Sequence, residues 1–431
     1  MNRRNLLLVA PLFIVTALAI LAGGLGSASA SPPTRQSQES ALTIPHVGQS
    51  KWVVLLCQFA DSPSDATDPV PSPHTVADYN DAFNTNPKGM KAYFKESSYN
   101  KLKFSAVVKD WRRLPHNRGF YGNYQSEGEA FLFELFDDCA ARFNNVVDFS
   151  DFDGIAFMMD DRERDPNGGP CDFGESGCTD NRGLGVGGYG WVRVPKTLDG
   201  KFGFRAIWMP YLSEPLNEVT AHELSHAFGA THSAAGADDA GLHGECFPAG
   251  PPACGHEWDL MASASFGLPP DSHTLAATKV FNHRWITGTR RCNIVNDVSN
   301  RVIELERLAR PRANDRCLAI TIRHPQSSTA WYVVEARFPV GFEKDSSTMF
   351  PGGGVPGPSV LISRMCTGGT FCTREPMVIG RDENGDFVID EASAEWQPGE
   401  TFVSVGGFIR VEIVSRGAGF YTVRVTRDST P

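Results

Sequence analysis

Apolar residues run almost unbroken over 52–59 (Trp-Val-Val-Leu-Leu-Cys-Gln-Phe). A short run without alternation is the mark of a strand covered on both faces. A Pro- and Asp-rich stretch follows and reads as a loop. Over 89–98, Met90, Tyr93 and Phe94 share one face at helical spacing, and Leu102, Phe104, Ala106 and Val108 then alternate as a second strand. Residues 126–143 predict a long helix, with Ser126 as its cap and Glu129 three residues on as the reciprocal partner. Residues 154–159 and 205–210 predict two further buried strands. From about Cys292 the texture changes to short apolar runs between turns, at 301–305, 318–322, 331–336, 360–363 and 408–414. The pattern therefore predicts an α/β (α+β) region over 50–290, followed by an all-β, sandwich-like region over 291–431.

The first thirty residues fit neither region. Arg3 and Arg4 precede an apolar stretch over 6–25 and then Ala28-Ser29-Ala30. That is a charged start, an apolar middle and a small-x-small cleavage site, so residues 1–30 read as a signal peptide. The apolar stretch is also about long enough to span a bilayer, which leaves an uncleaved anchor as the alternative. Residues 31–49 are Ser-, Pro- and Gln-rich and read as a flexible lead-in. A secreted, extracellular protein is expected, soluble and off the membrane once the leader is cleaved, and a monomer.

The net charge of −10 falls to −12 when Arg3 and Arg4 leave with the leader. With no basic run and the wrong sign of charge, nucleic acid is not an expected partner. All ten cysteines lie beyond the leader, an even number in an oxidising compartment, which predicts five disulfides. Short loops suggest Cys171–Cys178, Cys246–Cys254 and Cys366–Cys372. Cys292–Cys317 and Cys57–Cys139 then follow by elimination, although spacing alone cannot prove connectivity.

The candidate chemistry is concentrated in His222-Glu223-Leu224-Ser225-His226-Ala227-Phe228-Gly229-Ala230-Thr231-His232. On a helix, positions four apart share a face, so His222 and His226 can point at one ion. Glu223 lies beside that face, within reach of a water without having to ligate. Gly229 allows the helix to stop in a left-handed turn, which would return His232 as a third nitrogen. Three neutral imidazoles and one open position are the ligand set of catalytic Zn2+, with Glu223 as the base. Glu218, one turn before His222, either orients that ring from behind or is merely solvated.

This run resembles the zinc signature of the metzincin metalloproteases. The order of 52–61, 93–102, Trp111-Arg112-Arg113-Leu114-Pro115 and Tyr121-Gly122 is similar to the secreted immune inhibitor A-like and gametolysin-like peptidases. The similarity covers roughly 50–290 and continues more faintly through 351–355 and 396–401. It implies a zinc metalloendopeptidase acting on protein or peptide substrates, with His222, His226 and His232 as ligands and Glu223 as general base. It also implies a Met-turn at Met261, 29 residues after His232. Some metzincins place a Tyr soon after that turn, and none lies between Met261 and Trp285 here.

A loop over 160–190 with nine glycines leads to Trp191, Val192 and Arg193, which resemble the edge strand that metzincins lay above the zinc. An unpaired edge can take an extended peptide as a further strand, though a plain surface loop and edge strand would look the same. Asp382, Asn384 and Asp386 around Gly385 are spaced somewhat like a structural Ca2+ loop. The distance to any later Glu does not match an EF-hand, and a hairpin turn is the better reading. Two rival functions stand beside the peptidase. One is a secreted zinc-containing adhesion or binding protein with little turnover, against which the intact Glu223 argues. The other is a thermolysin-like protease with a distant Glu ligand, against which the local His232 argues.

Overall fold

The computed structural model describes residues 47–60, 62, 74–121, 130–159, 205–209, 218–237, 258–262, 272–344, 355, 357–368, 375–381 and 391–430. Among these described residues, three sheets and a few short helices give a mixed α/β architecture in which β-structure predominates.

The first sheet holds β1 (Gly48–Gln58), β2 (Leu102–Arg113), β3 (Gly154–Met159) and β4 (Arg205–Met209), all parallel, in the order β2-β1-β3-β4. The unbroken apolar run of β1 has a direct cause. Trp52, Val54 and Leu56 face one core, while Val53, Leu55 and Cys57 face another. A parallel sheet buried on both faces needs apolar side chains at every position. Gly154 is required by the close approach of Trp52, since a Cβ there would lie 2.5 Å from the indole ring.

Among the described residues, α1 (Val76–Asn80), α2 (Met90–Ser97) and α3 (Ala130–Phe143) belong to this region. Helix α1 opens with a reciprocal cap between Thr75 and Asp78. Helix α2 buries Met90, Tyr93 and Phe94 in the first core, as its spacing predicts. Helix α3 sets Leu135, Phe136, Cys139 and Phe143 against the other face of the sheet, where Cys139 is disulfide-bonded to Cys57. The expected cap at Ser126 and Glu129 lies outside the described residues.

Two more helices carry the chain to the C-terminal half, α4 (Glu218–Ala227) and α5 (Ala276–Phe281). The strands there are β5 (Ala234–Ala237), β6 (Arg291–Ile294), β7 (Val298–Glu306), β8 (Ala319–Arg323), β9 (Ala330–Arg337), β10 (Ser359–Cys366), β11 (Met377–Gly380), β12 (Thr401–Val403), β13 (Ile409–Arg416) and β14 (Phe420–Arg427). They form a six-stranded sheet, β5-β11-β10-β9-β8-β6, and a four-stranded one, β12-β13-β14-β7. The two share a core in which Ile320, Ile322, Val334 and Ile362 meet Ile303, Val411, Val423 and Val425. The other face of the six-stranded sheet is covered by Trp258, Leu275, Ala276 and Val280, packed with Val333, Leu361 and Val378. Residues on both sides of position 290 thus build this sheet, because β5 pairs in parallel with β11.

A charged cluster is buried where the two halves meet. Arg337, fully buried, donates from Nη1 to Glu335 at 2.8 Å, and its Nε lies 2.7 Å from Glu343. Lys279 Nζ lies 3.1 Å from His273 Nδ1, and His273 Nε2 is 3.4 Å from Glu96. Burial pushes the Glu343 carboxyl up to about 7, against the pull of Arg337. Burial likewise lowers the Lys279 ammonium to about 7.

Cys292 is bonded to Cys317, and Cys366 is also in a disulfide; no free cysteine occurs among the described residues. The remaining expected pairs involve cysteines outside those residues. Thiol titration of the denatured, unreduced protein is expected to find no free thiol. Two or more per chain would defeat the five-disulfide framework. Among the described residues, no helix is long and apolar enough to cross a membrane. That and the disulfides are compatible with secretion.

Candidate metal centre

Helix α4 is anchored before it ligates anything. Val219 and Leu224 enter the first core, and Phe228, just past the helix end, meets Trp52 and Phe94 edge-on at ring-centroid distances of 5.8 and 5.0 Å. The helix then closes on Gly229, which takes φ +99. Ala230 N–H donates to Ser225 O at 2.9 Å and Gly229 N–H to His226 O at 2.8 Å, the paired bonds of a left-handed helix terminus. A Cβ at Gly229 would be strained at this backbone angle, which is why glycine stands there.

The turn brings the three imidazoles together. His226 Nε2 lies 3.1 Å from His222 Nε2 and 3.1 Å from His232 Nε2. The far sides of two rings are held by backbone. His222 Nδ1 is 2.7 Å from Leu260 O, and His226 Nδ1 is 2.9 Å from Ala230 O. A carbonyl oxygen only accepts, so both Nδ1 atoms carry the proton and both neutral rings present an Nε2 lone pair to the centre. Burial lowers the His222 imidazole to about 4, takes His226 well below its usual value and lowers His232. The rings are therefore held neutral, the form that ligates.

Two lone pairs facing each other at 3.1 Å repel unless a cation lies between them. Tetrahedral coordination at about 2.0–2.1 Å sets neighbouring nitrogens about 3.3–3.4 Å apart, close to the 3.1 Å found. The three histidines form a group that can hold a metal ion.

The turn around Met261 sits against this group through its backbone. Leu260 supplies the carbonyl to His222, and Met261 O accepts from Ser233 N–H at 3.3 Å, one residue after His232. Asp259 fixes the turn by accepting from Met261 N–H at 3.0 Å. Met261 itself is fully buried in the first core. Glu223 is buried on α4 directly after His222.

Glu218 is buried rather than solvated. Leu260 O occupies His222 Nδ1 and the His226 ring faces its Nε2, so both ring nitrogens are engaged elsewhere. Trp191, Val192 and Arg193, the calcium-like loop at 382–386, and the disulfides expected near 171–178 and 246–254 lie outside the described residues. The motif did not reveal the two orienting carbonyls, Leu260 and Ala230, because a backbone oxygen has no residue-type signature. It also gave no hint of Asn282, whose Nδ2 donates to Gly229 O at 3.0 Å.

No protein-family model matches this chain, and no curated protein matches it.

Proposed function

We propose that this protein is a secreted zinc-dependent metalloendopeptidase of metzincin type, cleaving peptide bonds in protein or peptide substrates. The observation that carries the proposal is the convergence of the His222 and His226 Nε2 atoms at 3.1 Å, each ring having its Nδ1 against a backbone carbonyl. His222, His226 and His232 would hold the ion. Zinc, when bound, supplies Lewis acidity to a peptide carbonyl and makes water more acidic.

The chain's own groups do the rest. Glu223 takes the proton of the attacking water and delivers it to the leaving amine, which needs a carboxylate beside the ligand face but outside the ligand set. Leu260 O and Ala230 O hold two rings in the donating tautomer, so the centre does not have to reorganise when the ion enters. Met261 would shape the floor of the site without ligating it.

Two measurements test this reading together. Purified mature protein should contain one zinc per chain and cleave casein, and a chelator should abolish cleavage until zinc is restored. His232→Ala should lose most of its zinc after dialysis, since two protein nitrogens remain in a site that needs three. Full metal content and activity in that variant would place the third ligand elsewhere and end the metzincin assignment. A zinc-loaded protein without hydrolysis would instead favour a binding protein.

A further inference from the structure

The three ligands do not hang from the same part of the fold. His222 and His226 stand on α4, whose apolar side is rooted in the parallel-sheet core. His232 stands beyond Gly229 on a short arm that runs into β5, and β5 belongs to the six-stranded sheet. Its pairing begins two residues after the ligand. Ala234 N–H donates to Pro376 O at 2.9 Å, and Ala234, Ala235, Gly236 and Ala237 lie opposite Met377, Val378, Ile379 and Gly380.

The near end of the arm is held from the same side. Asn282 follows α5, which packs on that sheet, and donates to the carbonyl of Gly229, the left-handed residue at which the chain reverses. His232 therefore lies between two anchors delivered by elements lodged on the C-terminal sheet, and the next residue, Ser233, is held besides by Met261 O at 3.3 Å.

We propose that the C-terminal β-sandwich is a working part of the metal centre, positioning His232 through Asn282 and the β5–β11 pairing. The inference rests on the metal-binding reading above. Its physical basis is preorganisation. An arm fixed at both ends presents its imidazole at the ligating distance before the ion arrives. A loose arm must be ordered by binding itself, and affinity falls by that ordering cost. Asn282 is a positioning residue here: it touches the turn and acts on the metal only through His232.

The test uses the full mature chain, zinc competition against a chromophoric chelator, Co2+ absorption spectra, and urea unfolding of the metal-free protein. Asn282→Ala is expected to raise the zinc dissociation constant by up to roughly tenfold, the low end of the range for groups bonded directly to a ligand, because Asn282 bonds Gly229 O instead. Its cobalt spectrum should change while the metal-free unfolding midpoint stays near wild type. Asn282→Asp should not rescue binding, because a carboxylate cannot donate to Gly229 O. Val378→Pro, which removes an N–H of β11, should weaken zinc at least as much. Where Val378→Pro fails to fold, the Asn282 variants decide.

Zinc affinity unchanged in Asn282→Ala, or reduced only in step with loss of the metal-free fold, would overturn the proposal. A wild-type chain that binds no zinc, or a His232→Ala chain that binds it as tightly as wild type, would instead remove the metal reading, and this inference with it.

Discussion

Glu223→Gln is expected to retain one zinc per chain while its rate of peptide hydrolysis falls by about 10²–10⁴-fold, the range that a lost general base accounts for. The substitution keeps the size of a side chain that is buried on α4 and leaves all three imidazoles in place. The amide has no proton-accepting carboxylate, so a water facing a substrate carbonyl loses its base. Metal analysis and initial rates on a quenched peptide, measured on the same preparation, check both halves. Turnover within a few-fold of wild type would sink the mechanism, and loss of zinc alongside activity would mean that Glu223 supports the ligands rather than the proton transfer.

The second large effect lies away from the metal. Arg337→Ala is expected to cost about 3–5 kcal/mol of stability, because it leaves buried carboxylates without their cation. Glu335 and Glu343 both lie against the guanidinium and are themselves buried. The sign of the pH dependence follows from Glu343, whose carboxyl burial already raises to about 7. A carboxyl raised above its unfolded value near 4.5 stays protonated in the fold at low pH, and stability is lost as pH rises through that interval. Removing Arg337 pushes the carboxyl higher still, so the variant should be hurt more at pH 8 than at pH 5. Urea unfolding at the two pH values measures this. Replacing Arg337, Glu335 and Glu343 together by apolar residues of similar volume should cost far less than Arg337→Ala alone.

Much of the N-terminal sheet was legible because its strands carry their burial in their composition. The run that became β1 has no polar interruption before Gln58, and the alternation in β2 is plain from Leu102 to Val108. The spacing of His222, His226, Gly229 and His232 was equally readable, since helix periodicity and one left-handed glycine turn all three rings toward one place, whereas the Asn282 and β5–β11 anchors of the third left no mark in the motif. Strand β5 was not legible. Ala234-Ala235-Gly236-Ala237 has no β-branched or aromatic residue, and it is a strand only because β11 lies beside it. The charges of the buried cluster were also hidden: Glu335 and Arg337 end an apolar strand, where side chains of that type usually mean an exposed edge. Strand β14 did carry a signal, the alternation of Tyr421, Val423 and Val425, and was absent from the expected strands.

The β5–β11 pairing also sets an order of events during folding. The two strands are separated by more than a hundred residues, and contacts between such distant segments close late because the intervening chain must first be ordered. A nascent chain can form α4, with its two histidines one turn apart, while Met377 is still unmade. The arm that bears His232 has no sheet to join until β10 and β11 have folded. On this topology a chain that has formed α4 but not β11 would carry His222 and His226 on their helix and His232 without its sheet anchor.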